Sequence, residues 1–430
     1  MLAARLAQLL QRRGIHYAWV IAALTFLAML ITSAALGLPG ALMQPLAAEF
    51  GWSTTELSSV FASRFALYGL LGPFAAVVLM RYGISRVVAL ASAVVGASLL
   101  AGLFIHNLGQ AFVLWGLMLG IGTGLTAMVL GAMVANRWFV ERKGLVMGVL
   151  AGSAATGQLL FLPLAAWLIE QHGWRWALVP VVAAAALVCV LVLLFMRDHP
   201  ADLGLAPYGA PPDAAPAPAA LKADWGLPFR TLASAARVPT FWILAGTFFI
   251  CGLSTNGLMQ THFISLCGDR GLDAVPAASV LAMMGIFDLV GTTLSGYLSD
   301  RFDNRKLLFW YYGLRGLSLF WLPHSEFTLI GLSLFAVFYG LDWIATVPPT
   351  VKLAAAEFGA ERAPLIFGWV FAAHQLGAAA AAYGAGLTRS VMLSYTPALY
   401  AAGAACLVAA AVVLAIRGTA PSGKPSPARA

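Results

Sequence analysis

The 430-residue sequence predicts an all-α integral membrane protein of twelve transmembrane helices in two six-helix bundles. Three observations carry that prediction. The chain is 61% hydrophobic and only 10% charged, against about 45–50% and about 25% in globular domains. Twelve apolar stretches follow one another, each near the roughly 20 residues that cross a bilayer. Residues of the two halves recur at a constant separation of 220 positions. The composition excludes a cytosolic enzyme, a nucleic-acid binder and a secreted disulfide scaffold.

Spans 1 to 6 lie near 17–42, 54–80, 86–105, 110–136, 144–168 and 176–196, and spans 7 to 12 near 239–264, 275–299, 307–323, 327–350, 364–388 and 396–416. Residues 1–16 form a cytoplasmic N-terminal segment, 17–196 and 239–416 the two bundles, and 417–430 a cytoplasmic tail. Between the bundles, 197–238 gathers Pro200, Pro207, Pro211, Pro212, Pro216, Pro218 and Pro228 among alanines and charges, the composition of a cytoplasmic linker. The apolar stretch after the first arginines is too long for a signal peptide and has no small-residue cleavage site, so it reads as a retained first helix. Cys189, Cys251, Cys267 and Cys406 have no paired spacing, which argues against a disulfide framework or a metal site.

Basic residues orient the chain. With the N-terminus inside, twenty of the 25 Lys and Arg fall on cytoplasmic segments, three (Arg175, Arg270, Arg389) fall outside, and Arg64 and Arg315 lie within spans. This bias predicts both termini in the cytoplasm of a cell membrane, the inner membrane of a bacterium, and gives the net charge of +8 an orienting role.

The repeat is visible in seven positions. ERKGLVMG after span 4 matches ERAPLIFG after span 10, aligning Glu141, Arg142, Leu145 and Gly148 with Glu361, Arg362, Leu365 and Gly368. Gly157 matches Gly377, Arg81 matches Arg301, and Gly120 matches Gly340. Two such repeats, related by an axis along the membrane normal, are the architecture of a secondary transporter.

The string GYLSDRFDNRK, Gly296 to Lys306, resembles the loop signature of the major facilitator superfamily, although Met80 stands where the first-half copy would be acidic. WFVERKGLVMGVLAGSAATGQ, Trp138 to Gln158, and LPGALMQPLAAEFGWS after span 1 are similar to the monocarboxylate-transporter-like branch, close to the oxalate-formate antiporters. The resemblance implies a major facilitator fold. It also implies a cytoplasmic gate in which Asp300, Arg301 and Arg305, with Arg81, Glu141, Arg142, Glu361 and Arg362, latch the halves in one state and release them in the other. Positive-inside anchoring alone would also explain these charges.

Four ionised side chains fall well inside spans: Arg64, Asp288, Arg315 and Asp342. Such residues are costly and mark function by default. Counting about 1.5 Å per residue through a core of about 30 Å puts Asp288 and Arg315 level on consecutive helices, which predicts either a mutual charge pair or a protonatable Asp288. Asp342 lies deeper, just before Pro348 and Pro349. Span 2 has no carboxylate for Arg64, and in the superfamily span 2 faces span 11, where His374 and Gln375 stand. A guanidinium there suits a carboxylate; the alternative is an interhelical bond to backbone carbonyls or to Asp288 or Asp342. Asn256, Gln260 and His262 in span 7 and Ser153, Thr156 and Gln158 in span 5 add polarity that serves either a cavity or helix bridging. Members of the branch carry an arginine one turn after the span-8 aspartate; here Thr292 occupies that place, so any anion recognition must rest on Arg64, and neutral or zwitterionic solutes stay open.

GLMLGIGTG in span 4 lacks the strand and helix context of a dinucleotide site, so its glycines serve helix packing. No HExxH, GxSxG or GxGD motif occurs, so no enzyme is expected. The expectation is alternating-access, proton-coupled symport of a small organic anion. Arg64, His374, Gln375, Asn256 and Gln260 would bind it, and Asp288 or His374 would carry the proton. The partners are then the solute, the proton and the lipid bilayer, with no nucleic acid, no cofactor and no metal, and the chain acts as a monomer. Proton-driven export of a drug or metabolite, or a non-transporting solute receptor, are the alternatives.

Overall fold

The computed structural model describes residues 2–126, 128–211, 224–359 and 362–416. Among them ten helices are long and apolar enough to cross a membrane. They are Ala18–Phe50, Thr54–Tyr82, Ile84–Gly102, Leu108–Trp138, Trp174–Phe195, Pro239–Gly268, Ala274–Ser299, Leu329–Phe358, Ala363–Met392 and Thr396–Val413, which stand at the places of spans 1–4, 6–8 and 10–12. The place of span 5 is held by Lys143–His172, whose Leu159–His172 portion is apolar. The place of span 9 is held by Asn304–Trp321, where Arg305, Lys306 and Arg315 dilute the hydropathy of only 18 residues. The protein is an all-helical, multi-pass membrane protein.

Local chemistry sets several helix ends. Span 1 runs through Pro39 and Pro45 to Phe50, eight residues past its expected limit, and closes on Gly51 in the left-handed region at φ 69°. Span 2 starts at a reciprocal cap: Glu56 N–H donates to Ser53 Oγ at 3.2 Å, and Ser53 N–H to Glu56 Oε2 at 2.8 Å. Span 10 is interrupted, with its first helix ending at Asp342 and the next starting at Val347, where Pro348 and Pro349 occupy first-turn positions that need no N–H donor. Span 7 widens into a π-helical stretch over Leu253–Gln260.

The duplication is written into the packing. A Cβ on Gly120 would lie 3.1 Å from the Arg64 carbonyl oxygen and 3.0 Å from Leu67 Cβ. One on Gly340 would lie 2.5 Å from the Met284 carbonyl and 2.9 Å from Phe287 Cβ. Both the glycines and the residues they press on are 220 positions apart, so span 4 meets span 2 as span 10 meets span 8. Arg64 therefore has Met284 as its counterpart, and Asp288 has Tyr68.

The halves meet where span 2 lies along span 11, span 5 along span 8, and span 1 along span 7. The polar contacts between halves cluster at one end, far from the linker. Thr55 Oγ1 donates to Ser390 Oγ at 2.9 Å and to the Gly386 carbonyl at 3.3 Å, and Val275 N–H donates to Glu170 Oε1 at 3.3 Å. This far end is fastened. At the near end the linker straps the first bundle: Tyr208 N–H donates to the Trp138 carbonyl at 2.9 Å, Val140 N–H to the Tyr208 carbonyl at 2.8 Å, and the Tyr208 ring sits among His16, Trp19 and Phe139.

Candidate functional site

The middle of spans 1, 2, 4, 5, 7, 10 and 11 lines a partly open cavity of about 130 Å³. Thr32, Tyr68, Thr126, Ser153, Asn256, Gln260, His374 and Gln375 give it polar walls, and Phe248, Trp343, Ile344 and Phe371 give it apolar ones. The expected binding residues His374, Gln375, Asn256 and Gln260 are thus brought together. The π-helical stretch turns Asn256 and Gln260 to the same side.

The cavity holds unsatisfied donors and acceptors. His374 stacks on Phe371 with ring centres 5.7 Å apart and tilts against Phe248 at 4.8 Å, while its Nδ1 has no hydrogen-bond partner. Gln375 Oε1 is buried and also unpartnered. Two glycines make this placement possible. A side chain at Gly252 would strike the His374 backbone, and one at Gly69 would strike Gln375, so spans 7 and 2 approach span 11 closely only because both positions are bare. Opposite, the Thr32 and Thr126 hydroxyls are 2.5 Å apart. His262 lies away from the cavity, with Nε2 2.8 Å from the Ala382 carbonyl and Nδ1 3.3 Å from the Tyr395 hydroxyl, bridging helices. Thr156 donates to the Gly152 carbonyl of its own helix at 2.9 Å; the side chain of Gln158 lies outside what the structure describes.

Arg64 is 1% exposed and does not reach the cavity. Its guanidinium turns to span 1, donating to the carbonyls of Ala35 at 3.1 Å and Leu36 at 3.2 Å, with Phe65 4.9 Å and Phe61 5.9 Å from its centre. Its Nε has no partner, and among the described residues no carboxylate forms an ion pair with it. The expectation that it faces His374 and Gln375 directly is corrected. The long side chain folds back on span 1, where helix carbonyls offer the acceptors within reach. It stays next to the site, because Leu36, whose carbonyl it holds, lines the cavity.

The Asp288–Arg315 pair is likewise replaced. Arg315 Nε donates to Asp342 Oδ2 at 2.6 Å, Nη2 to the carbonyls of Asp342 and Trp343, and Nη1 lies 3.0 Å from Cys251 Sγ. The interruption of span 10 exposes those two carbonyls beside the carboxylate, and together they outcompete Asp288. Asp288 instead accepts from Thr292 Oγ1 and from Ile344 N–H, each at 2.9 Å. It is thereby tied to the same interruption, whose Trp343 and Ile344 line the cavity. A larger groove of about 460 Å³ between spans 9 and 10 reaches Arg315 and Asp342 from the outer surface of the bundle, past Leu314, Leu334 and Phe338.

The expected gate charges other than Glu361 sit at the near end, and Asp300, Arg301, Arg305, Arg81, Glu141 and Arg142 meet neighbours in their own half or in the linker. Asp300 pairs with Lys352, a residue the sequence reading missed because nothing in its spacing marks it. Arg301 lies 4.2 Å over the Tyr297 ring. Arg305 holds Asp303 at 2.6 Å and donates to the Ile416 carbonyl at 3.0 Å. That hydrogen bond keeps the Asp303 carboxyl below the usual carboxylate range. Arg81 lies near the Tyr82 and Trp225 rings, and Arg142, with φ 58°, near Tyr208. Glu141 abuts Gly209, and the Arg362 carbonyl accepts from Leu365 and Ile366 at the start of span 11. Glu361 lies outside the described residues. Among the described residues none of these charges makes a hydrogen bond or ion pair across the halves.

Comparison with known proteins places the architecture. The family profile described as Major Facilitator Superfamily matches residues 25–382. The chain is 26% identical to the uncharacterized MFS-type transporter YcxA of Bacillus subtilis strain 168 over 80% of this chain and 82% of that one. It is 25% identical to monocarboxylate transporter 13 of Rattus norvegicus over 93% and 89%. In structure it resembles the crystal structure of a D-xylose-proton symporter, with a TM-score of 0.70 at 14% identity over 93% of this chain and 98% of that one. On the length matched and on its fold, the chain belongs to the Major Facilitator Superfamily.

Proposed function

We propose that the protein, as a member of that superfamily a membrane transporter of small solutes and not an enzyme, carries a small organic anion of the monocarboxylate type together with a proton, by alternating access between the two bundles. One observation carries the anion reading: Arg64 is a buried cation with no counter-ion among the described residues, set behind a wall of the cavity. Burying an ion costs several kcal/mol, and two carbonyl acceptors with an idle Nε leave part of that cost uncompensated. At an effective dielectric of about 20 a unit charge still acts with about 2 kcal/mol at roughly 8 Å. An anion entering beside Leu36 would answer it, while Gln375 and His374 offer polar groups for its oxygens. The relatives named for monocarboxylates support the class.

Size supports a small solute over a drug. The cavity of about 130 Å³ is well below the roughly 300–1,000 Å³ of drug-sized sites. The unpartnered Nδ1 makes His374 one candidate carrier of the proton. For Asp288 the route is more explicit. Its carboxylate holds Ile344 N–H at the interruption of span 10. Protonation would weaken that bond and free the Trp343–Ile344 segment to move, which links proton uptake to the shape of the site. The basic segments would place the near end in the cytoplasm.

The test is proton flux in proteoliposomes. External acetate, lactate or pyruvate should drive saturable proton entry, and Asp288→Asn should abolish it while leaving solute counterflow. Counterflow without proton movement in the wild type would contradict symport and indicate exchange, and neither flux would indicate a receptor.

A further inference from the structure

The helix Leu2–Arg12 has no part in the cavity, and its faces are unusually distinct. Ala3, Leu6, Ala7 and Leu10 turn toward the protein, packed against the end of span 6 and the short turn Pro200–Leu203. At 100° per residue, Leu2 and Leu9 form the strip beside that face, and they are 51% and 57% exposed. Arg5 and Arg12 form the next strip, and Arg13 follows; all three are exposed. The helix contains no acidic residue, and none of the three arginines makes an ion pair among the described residues. Only residues 13–17 separate the helix from span 1, so it is held at the level where that span enters the membrane.

We propose that this helix lies in the membrane surface and that its open side is a binding site for anionic phospholipid. Leu2 and Leu9 enter the boundary between headgroups and acyl chains, as the apolar edge of an interfacial helix does. Arg5, Arg12 and Arg13 take the phosphates, to which the guanidinium fork is matched. Charge complementarity selects this occupant: an apolar strip flanked by three arginines that form no ion pair among the described residues, on a helix that itself carries no carboxylate, fits an anionic lipid and not a zwitterionic one, even though Asp202 lies in the turn on the packed side. Because Ala3 and Ala7 press on the end of span 6, the lipid would fix the near end of the first bundle.

The test is hydrogen exchange of the full-length protein in nanodiscs of phosphatidylglycerol and of phosphatidylcholine. A basic residue at an anionic surface gains about fivefold in residence, so exchange of amides 2–13 should be at least about tenfold slower in phosphatidylglycerol. The difference should vanish in Arg5→Gln/Arg12→Gln/Arg13→Gln. It should also vanish for the wild type in about 1 M salt, where screening acts within about 3 Å. That arm needs no variant to fold. Equal exchange in the two lipids, or a difference that survives both salt and the triple substitution, would overturn the proposal and leave the strip as solvent-exposed or as a protein contact.

Discussion

Arg64 in the first bundle and Arg315 in the second are both 1% exposed, yet their surroundings differ in kind. Arg315 is neutralised by Asp342 and surrounded by two carbonyls, a thiol and a hydroxyl. Arg64 has two carbonyls, two phenyl rings and an idle Nε. The repeat imposed neither, because its counterparts are Met284 for Arg64, Val95 for Arg315 and Gly122 for Asp342. A charge added to one half of a duplicated frame and left, among the described residues, without a counter-ion is what a solute can complete. One added together with its partner is a brace.

Stability separates the two most strongly. Arg315→Met strands a buried Asp342 and should cost about 3–5 kcal/mol in unfolding, largely recovered in Arg315→Met/Asp342→Leu. Arg64→Met strands no carboxylate and should cost less than half as much. Equal losses in thermal unfolding of the two variants would erase the distinction. Next in size is Asp288→Asn, which keeps an acceptor for Ile344 N–H and so should cost about 1 kcal/mol or less. It should nonetheless lose proton-driven accumulation, measured as the steady-state solute ratio under an imposed pH gradient. Unimpaired accumulation would pass the proton to His374.

The smallest effect belongs to the near end. Because Arg305 depresses the Asp303 carboxyl, the folded state holds that proton less tightly than the unfolded chain. The stabilisation is present above about pH 4 and is lost as pH falls through the folded value. Asp303→Asn should remove a shallow acid limb, a few tenths of a kcal/mol for a half-buried pair that solvent still screens, from stability measured between about pH 5 and 2.

Much of this frame was legible because membranes restrict it. The order of spans follows from hydropathy, and the duplication follows from glycines that cannot change where helices touch, as Gly120 and Gly340 show in their matched contacts. Residue type also marked His374, Gln375, Asn256 and Gln260 as cavity polarity. Partnerships were less legible. Depth along a straight helix put Arg315 level with Asp288, but the interruption after Asp342 turns a carboxylate and two carbonyls to the same point, and no periodicity reports such a turn. The long arginine side chain adds a second ambiguity, since Arg64 can reach either a cavity or its neighbour's carbonyls from one backbone position. The Tyr208 strap was hidden for a different reason: it is a single backbone pairing inside a proline-rich segment whose composition reads only as linker.

The central claim is that Arg64 awaits an anion, and thermal unfolding of the purified protein with and without ligand tests it most directly. A carboxylate at about ten times its dissociation constant stabilises the folded state by about 1.4 kcal/mol. Wild type should therefore unfold at a higher temperature with a small monocarboxylate present than with a matched neutral solute, and Arg64→Gln should show no such shift. A carboxylate shift that persists undiminished in Arg64→Gln, or a response to neutral or cationic solutes alone, would contradict the account and leave Arg64 a structural residue.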